Sequence, residues 1–282
     1  MVTMEQVRRA IGAAIRTRVV GRGGPAKAAE IFQAVGPRWF APGRPIRIVH
    51  ADAAMFVGGM RALLMQSLHP LAMAGVAQHS DYRDDPWGRL QRTAEFLART
   101  TYGPVDQAEA ACAQVRAVHR RVVGTASDGR RYAANDPHLL RWVHVAEADS
   151  FLAAHQRFGR QRLTREQCDR YVADLAVVAE HVGVVDPPRS VGELRAALAA
   201  YRPELAATPE AREAARFLLA PPLPLVARPP YTMLAAAAIG LLPIWARLAL
   251  RLPVGPVADA VVVRPAGVAL MQLTRWALAD AG

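Results

Sequence analysis

Apolar residues recur at helical spacing along most of the chain, and short polar segments with helix-start or helix-end signals separate them. The apolar segment AMFVGGMRALLMQSLH follows Asp52, a residue type that caps helix starts, and it must end before Pro70. An Asp-Pro pair, which places a cap before a first-turn proline, occurs at residues 85–86 and again at residues 136–137. These signals predict a helix after each aspartate, and a second short helix from Pro70 to about residue 79.

Cap signals continue through the second half of the chain. Capping-box spacing occurs at residues 164–167 and 190–193, and a Thr-Pro start occurs at residues 208–209. Helical spacing also predicts a helix over about residues 106–123. The C-terminal half is therefore expected to be as helical as the N-terminal half.

Signals for β-structure are few. PIRIVHAD is the only modest candidate for a strand, and an Asp-Gly turn at residues 128–129 predicts a small hairpin near residues 124–135. We therefore predict an all-α fold, with one large multi-helix domain over residues 45–282. Residues 1–44 are expected to form an amphipathic, basic helical segment before it, without the apolar core of a secretory signal.

The longest apolar run, YTMLAAAAIGLLPIWARLAL, covers residues 231–250 and is about long enough to span a bilayer. Pro243 and Arg247 interrupt its second half. Because a proline removes a helical hydrogen bond and a charge is costly in lipid, the run predicts a buried, kinked helix rather than a membrane span.

Charge and cysteine content exclude several classes of protein. The net charge is +11, almost entirely from arginine because Lys27 is the only lysine, but the arginines are scattered and form no polybasic run. No aromatic and basic residues alternate as a stacking platform, so nucleic-acid binding is not predicted. Cys112 and Cys168 lie far apart without metal-site spacing, which is typical of a reducing, cytoplasmic compartment.

Two guanidinium groups and a hydroxyl share one side of the helix that begins at Pro86. Arg89, Arg92 and Thr93 cluster with Phe96 on an arc roughly 100° from the apolar stripe. These residues are either a solvated face around a half-buried phenylalanine, or a face that binds an anionic or polarised ligand.

The next helix carries His119 on its apolar arc. Cys112, Val115, Val118 and Val122 recur on the same side. A buried imidazole needs a partner, which is either a carbonyl group that satisfies a core histidine or a metal ion that it ligates.

The run VHADAAMFVGGMRALLMQSLHPLAMAGVAQHSDYRDDPWGRLQRTAEFL is followed by VHRRV, GRRYAANDPHLLRWVHVAEADSFL and PPYTMLAAAAIGLLPIWARLAL. This order, over about residues 45–250, resembles the latex-clearing protein (rubber oxygenase) and MpaB-type oxygenase family. The resemblance implies an all-α fold around a buried haem b, and oxygenase activity with dioxygen. Its rubber-cleaving members cut carbon–carbon double bonds into carbonyl products.

The resemblance assigns roles to the residues singled out above. The family's Arg-x-x-Lys-Thr element matches Arg89, Arg92 and Thr93, and its proximal iron ligand matches His119. All four residues would bind haem b, with a propionate as the anion for Arg89 or Arg116. His144, on the following helix, is the alternative iron ligand.

This sequence departs from the family at Arg92, where rubber oxygenases have a lysine. Because arginine stays protonated and does not readily ligate metals, Arg92 and Thr93 are expected to act catalytically by stabilising bound dioxygen. The resemblance to the rubber-cleaving members also implies a catalytic glutamate on the distal side of the haem. The residues around Met73 are apolar and offer no counterpart for it, which disfavours polyisoprene cleavage.

The prediction is a haem-dependent oxygenase for a small apolar substrate, terpenoid or lipid-like, in a pocket lined by MRALLMQSLHPLAMAG. The alternative is a non-catalytic haem-binding or membrane-peripheral helical protein, whose basic N-terminal segment and apolar YTMLAAAAIGLLP segment contact anionic lipid. Membrane association and oligomeric state are left open.

Overall fold

A computed structural model describes residues 3–21 and 23–279 of the chain. Residues 1, 2 and 22 of the predicted N-terminal segment, and residues 280–282 of the predicted helical domain, lie outside the described residues. The α-helices are α1 Met4–Val20, α2 Gly24–Phe32, α3 Pro45–His50, α4 Ala54–Gln66, α5 Pro70–His79, α6 Pro86–Tyr102, α7 Val105–His119, α8 Pro137–Phe158, α9 Arg165–Val182, α10 Val191–Tyr201, α11 Pro209–Leu219, α12 Arg228–Leu241, α13 Ile244–Leu250, α14 Pro256–Ala258 and α15 Arg264–Leu278. The strands are β1 Val123–Thr125 and β2 Arg131–Ala133.

The all-α prediction is confirmed, and so is the hairpin. Strands β1 and β2 pair in antiparallel fashion, with Val123 opposite Ala133, and they are the one sheet of the described chain. Gly129 in the connecting turn has φ +86°, a left-handed conformation that glycine adopts without strain.

Helices α4 and α8 form the most extensive helix pair of the fold. They can approach closely because Gly58 lies directly under the ring and backbone of Phe151. Helix α8 lies between two apolar cores. Trp142 and Ala146 face the core shared with α4 and α12, while Ala148 and Phe151 face the core shared with α3, α7 and α9.

The aspartate caps of α6 and α8 and the threonine cap of α9 occur where they were predicted. The predicted Asp52 cap is wrong in position, because Ala53 is the N-cap of α4 and Asp52 Oδ1 accepts the Ala54 amide at 2.8 Å. Asp85 and Asp136 accept backbone hydrogen bonds at 2.8 Å at the starts of α6 and α8. Thr164 forms a complete capping box at the start of α9, whereas Ser190 forms half of one because the Glu193 carboxylate accepts the Arg189 amide instead. Local cap chemistry therefore determines these helix starts.

Two predicted elements differ from the structure. The helix expected over residues 106–123 ends at His119, because Val123 instead pairs with β2. The strand candidate PIRIVHAD is wrong: Pro45 begins α3, which directs Ile46 and Val49 into the core three residues apart.

The apolar run at residues 231–250 is two helices, as its proline predicts. Helix α12 ends at Leu241 and packs on α4 and α15, and α13 begins after Pro243. A different stretch, Pro256–Leu278, runs continuously through α14, a π-helical segment at Asp259–Val263 and α15. It is the one described helix that is long and apolar enough to cross a membrane by length and composition alone.

Candidate functional site

Arg92 and Thr93 lie on the accessible side of α6. The Arg92 side chain is 66% exposed, and its Nη1 is 3.3 Å from Oδ2 of Asp85. The Thr93 hydroxyl donates to the Arg89 carbonyl at 3.0 Å. Neither side chain has a hydrogen bond or ion pair with His119, so the structure does not join these predicted residues directly.

Arg89 is set more deeply than its two neighbours. Its Nη1 donates to the Ser80 hydroxyl at 2.6 Å, and burial lowers the pKa of its guanidinium. No carboxylate within the described residues pairs with it. A partly buried cation without a counterion is a favourable position for an anion.

Apolar side chains stay accessible on helices that otherwise belong to the core. In α6 only Thr100 and Thr101 are fully buried, and Leu90 is exposed. Leu63 is 40% exposed although most of α4 is buried around it, and Val118 of α7 is exposed as well. Leu63, Leu90 and Val118 therefore offer accessible apolar surface on α4, α6 and α7.

His119 is the last residue of α7 and is half-buried. Its Nδ1 is buried and has no hydrogen-bond partner among the described residues. Burial lowers the pKa of the imidazole, which keeps the ring neutral near pH 7. A neutral ring with an unpaired nitrogen has the form that ligates a metal.

His144 and Glu147 lie one helical turn apart on the same face of α8. His144 is buried, its Nε2 has no partner, and burial together with the nearby Arg141 charge lowers its pKa to about 4. Burial raises the pKa of Glu147 to about 7, and no described side chain bonds its carboxyl group. This face therefore presents a neutral imidazole and a carboxyl group that titrates near neutral pH.

A second cluster of polar side chains lies where α3, α6 and α9 meet. Nδ1 of His50 is 2.8 Å from the Thr101 hydroxyl, and its Nε2 is 3.5 Å from the Tyr171 hydroxyl. Burial lowers the pKa of His50 to about 3, while burial and the Glu147 carboxylate raise the pKa of Tyr171. The Glu147 charge that acts on Tyr171 indicates that this cluster and the α8 face are near neighbours.

Sequence reasoning did not identify Glu147 as a site residue. The reversed order His144-x-x-Glu147 does not fit a di-iron motif, yet the same spacing places both groups on one helix face. The shared helix face was the one sign in the sequence that pointed to Glu147. Whether that face is buried depends on how α8 packs, and the spacing does not show this.

Comparison with family models matches residues 47–276 to the family described as ER-bound oxygenase mpaB/B'/Rubber oxygenase, catalytic domain. Comparisons with curated proteins and with solved structures gave no match. The match covers most of the chain, so this protein belongs to the mpaB and rubber oxygenase family, and its domain is an oxygenase catalytic domain.

Proposed function

We propose that the protein is a haem b-dependent oxygenase that acts on a small apolar, terpenoid or lipid-like substrate. The observation that carries the proposal is the buried, unpaired Nδ1 of His119 within an oxygenase catalytic domain. A haem b at this position supplies the iron chemistry that activates dioxygen. The chain's own residues bind the group, exclude water and handle protons.

Two imidazoles could hold the iron of a bound haem. His119 and His144 are both neutral because burial lowers their pKa, and each has a buried nitrogen without a partner. His119 is preferred because the resemblance matches it to the family's proximal histidine, while His144 is the alternative. An unpaired buried nitrogen costs roughly 1–3 kcal/mol, which a ligated iron would offset.

Arg89 fits a haem propionate. Its guanidinium is held in place by Ser80 and lacks a carboxylate partner among the described residues. A propionate would provide the charge-assisted hydrogen bond that the protein does not. Arg89 would therefore orient the group from the α6 side.

Arg92 and Thr93 remain predicted donors of hydrogen bonds to dioxygen. In the structure Arg92 forms an exposed ion pair with Asp85. Such surface pairs contribute only about 0–1 kcal/mol to the free energy of unfolding. The side chain can exchange this partner at little cost. Glu147 adds a carboxyl group that can accept or release a proton near pH 7.

The substrate pocket was predicted along MRALLMQSLHPLAMAG, and most of that segment instead builds the core. Met60, Leu64 and Met73 are buried, whereas Leu63 is accessible. We propose that Leu63, with Leu90 and the half-buried Phe96, contacts the apolar substrate. These three side chains offer no charge, which favours a hydrocarbon-like molecule.

An absorption spectrum of protein purified from haem-supplemented cells tests this function. We expect a Soret band of near-stoichiometric intensity, and dioxygen consumption when an isoprenoid or an unsaturated fatty acid is added. The His79→Ala variant, which alters an exposed histidine, should keep the band. A chain that folds without a Soret band would overturn the proposal, and a band without turnover would favour the non-catalytic haem-binding alternative.

A second candidate property is contact with a membrane surface, and the exposed apolar residues of the C-terminal third favour it. These exposed side chains are Leu225, Val226, Ile244, Leu248, Val257, Val261 and Val262. Exposed aliphatic groups next to arginines are typical of proteins that bind the membrane interface.

Sedimentation with phosphatidylcholine–phosphatidylserine vesicles tests this property. A Val261→Asp, Val262→Asp double variant should stay in the supernatant, and Val35→Asp, at a still more exposed site on another segment, should sediment.

A further inference from the structure

Three side chains that are distant in sequence meet at one corner of the fold. His69 precedes α5 at the bend between α4 and α5, and His138 is in the first turn of α8. Glu204 ends the short 3₁₀ turn Arg202–Glu204 that follows α10. One ligand atom from each residue lies within 4.8 Å of the other two.

The spacing of these atoms is that of a metal's ligand shell. Nε2 of His138 is 2.8 Å from Oε2 of Glu204, and Nε2 of His69 is 3.5 Å from the same oxygen. Ligands at about 2.0–2.1 Å from a tetrahedral ion lie roughly 3.3 Å from one another. The three side chains therefore need to move only slightly to close around an ion.

His69 is the observation that points to a missing partner. Its side chain is 2% exposed, and neither ring nitrogen makes a hydrogen bond. Its 3.5 Å separation from Glu204 is longer than an N–H···O hydrogen bond. The Nε2 of this buried ring is directed at the cluster and has no partner that satisfies it.

Neighbouring aromatic residues support the two imidazoles from behind. The Tyr201 hydroxyl donates to the His138 carbonyl at 2.8 Å, and its oxygen is 3.5 Å from Nδ1 of His138. That arrangement leaves Nε2 of His138 directed at Glu204. The rings of Trp142 and Tyr201 lie 6.3 Å and 6.5 Å from the His69 ring and close the inner side. Such outer contacts orient the ligands of protein metal sites.

We propose that His69, His138 and Glu204 bind one divalent transition-metal ion, with Zn²⁺ as the best fit. Two imidazole nitrogens and one carboxylate oxygen are ligands that Zn²⁺ accepts, and water completes the shell on the exposed side of His138 and Glu204. The ion would join the α4–α5 bend, the start of α8 and the turn after α10. The site shares no residue with the proposed haem site, so either can exist without the other.

Isothermal titration of tag-free, chelator-treated protein with Zn²⁺ tests the site. We expect one ion per chain, and binding weakened more than about 100-fold in His138→Ala and in Glu204→Gln, beyond the range for outer contacts. His138 and Glu204 are about half exposed, so both variants should fold, and circular dichroism checks this. His79→Ala and Glu213→Gln, which alter exposed residues outside the cluster, are the matched controls.

Haem content is measured in every sample and should not change with Zn²⁺ or with either variant. Wild-type protein that binds no Zn²⁺ would overturn the proposal. So would folded His138→Ala and Glu204→Gln variants that bind Zn²⁺ with the stoichiometry and affinity of the controls.

Discussion

The guanidinium of Arg61 on α4 lies 2.6 Å from the carboxylate of Asp149 on α8, inside the most extensive helix pair of the fold. Arg61 is 4% exposed, and it also donates to the Ser150 hydroxyl at 2.7 Å and to the Leu241 carbonyl at 3.0 Å. One buried cation therefore links α4, α8 and the end of α12. All of its identified partners accept hydrogen bonds.

Replacing Arg61 with alanine should lower the free energy of unfolding by about 3 kcal/mol or more, because it leaves Asp149 without its cation and the Leu241 carbonyl without a donor. Urea unfolding measures the loss. Arg83→Ala breaks an exposed pair with Glu213 and should change stability by less than about 1 kcal/mol. Equal effects of the two variants would contradict a structural role for Arg61.

Two adjacent glycines of α4 should respond in opposite ways to alanine. A Cβ on Gly58 would lie 2.6 Å from Cδ1 and 3.1 Å from Cα of Phe151, so Gly58→Ala should destabilise the protein by about 1–3 kcal/mol. A Cβ on Gly59 meets only Cε1 of Phe151 at 3.9 Å, so Gly59→Ala should stabilise the helix by up to about 1 kcal/mol. Thermal unfolding of both variants tests this difference, and a Gly58→Ala protein as stable as wild type would refute the α4–α8 packing.

Glu147 should make stability depend on pH in a defined direction. Its folded pKa of about 7 is above the ordinary value of 4.5, so its contribution to stability falls as pH rises from about 4.5 to 7 and stays low above that. Glu147→Gln keeps the shape without the charge. It should be more stable than wild type by about 1–3 kcal/mol at pH 8, with the difference vanishing near pH 4. Denaturant unfolding at both pH values measures this, and a difference that is the same at pH 4 and pH 8 would exclude a raised pKa.

The iron ligand can be identified by chemical rescue. His119→Gly should lose the Soret band, and added imidazole should restore it by filling the space that the side chain leaves. His144→Gly, which changes the other neutral imidazole with an unpaired nitrogen, serves as the comparison. If His144→Gly loses the band and His119→Gly keeps it, the ligand assignment moves to His144.

Much of the fold could be predicted because its helix starts are local. Asp85 and Asp136 cap helices through amides two or three residues away, so the sequence alone contains both partners. The end of α7 was not predictable in this way. It depends on Val123 pairing with Ala133, and a pattern of apolar residues does not distinguish that pairing from another helical turn.

Less of the candidate sites could be predicted. His119 stood out because it lies on an apolar arc, and the structure shows that its Nδ1 is buried and unpaired. Glu147 acquires its raised pKa only from the packing around α8. His69, His138 and Glu204 are brought together by three separate chain segments, so no spacing in the sequence marks them as a group.

The break between α12 and α13 leaves three consecutive carbonyl groups without helical partners, and two arginines bond them. Arg61 donates to the Leu241 carbonyl, while Arg247 donates to the carbonyls of Gly240 and Leu242. Replacing Pro243 alone would therefore leave the bend supported, because both guanidinium groups still bond these carbonyls in their present directions. The bend is maintained by Arg61 from α4 and by Arg247 from the run itself, so straightening it would require changes at both arginines.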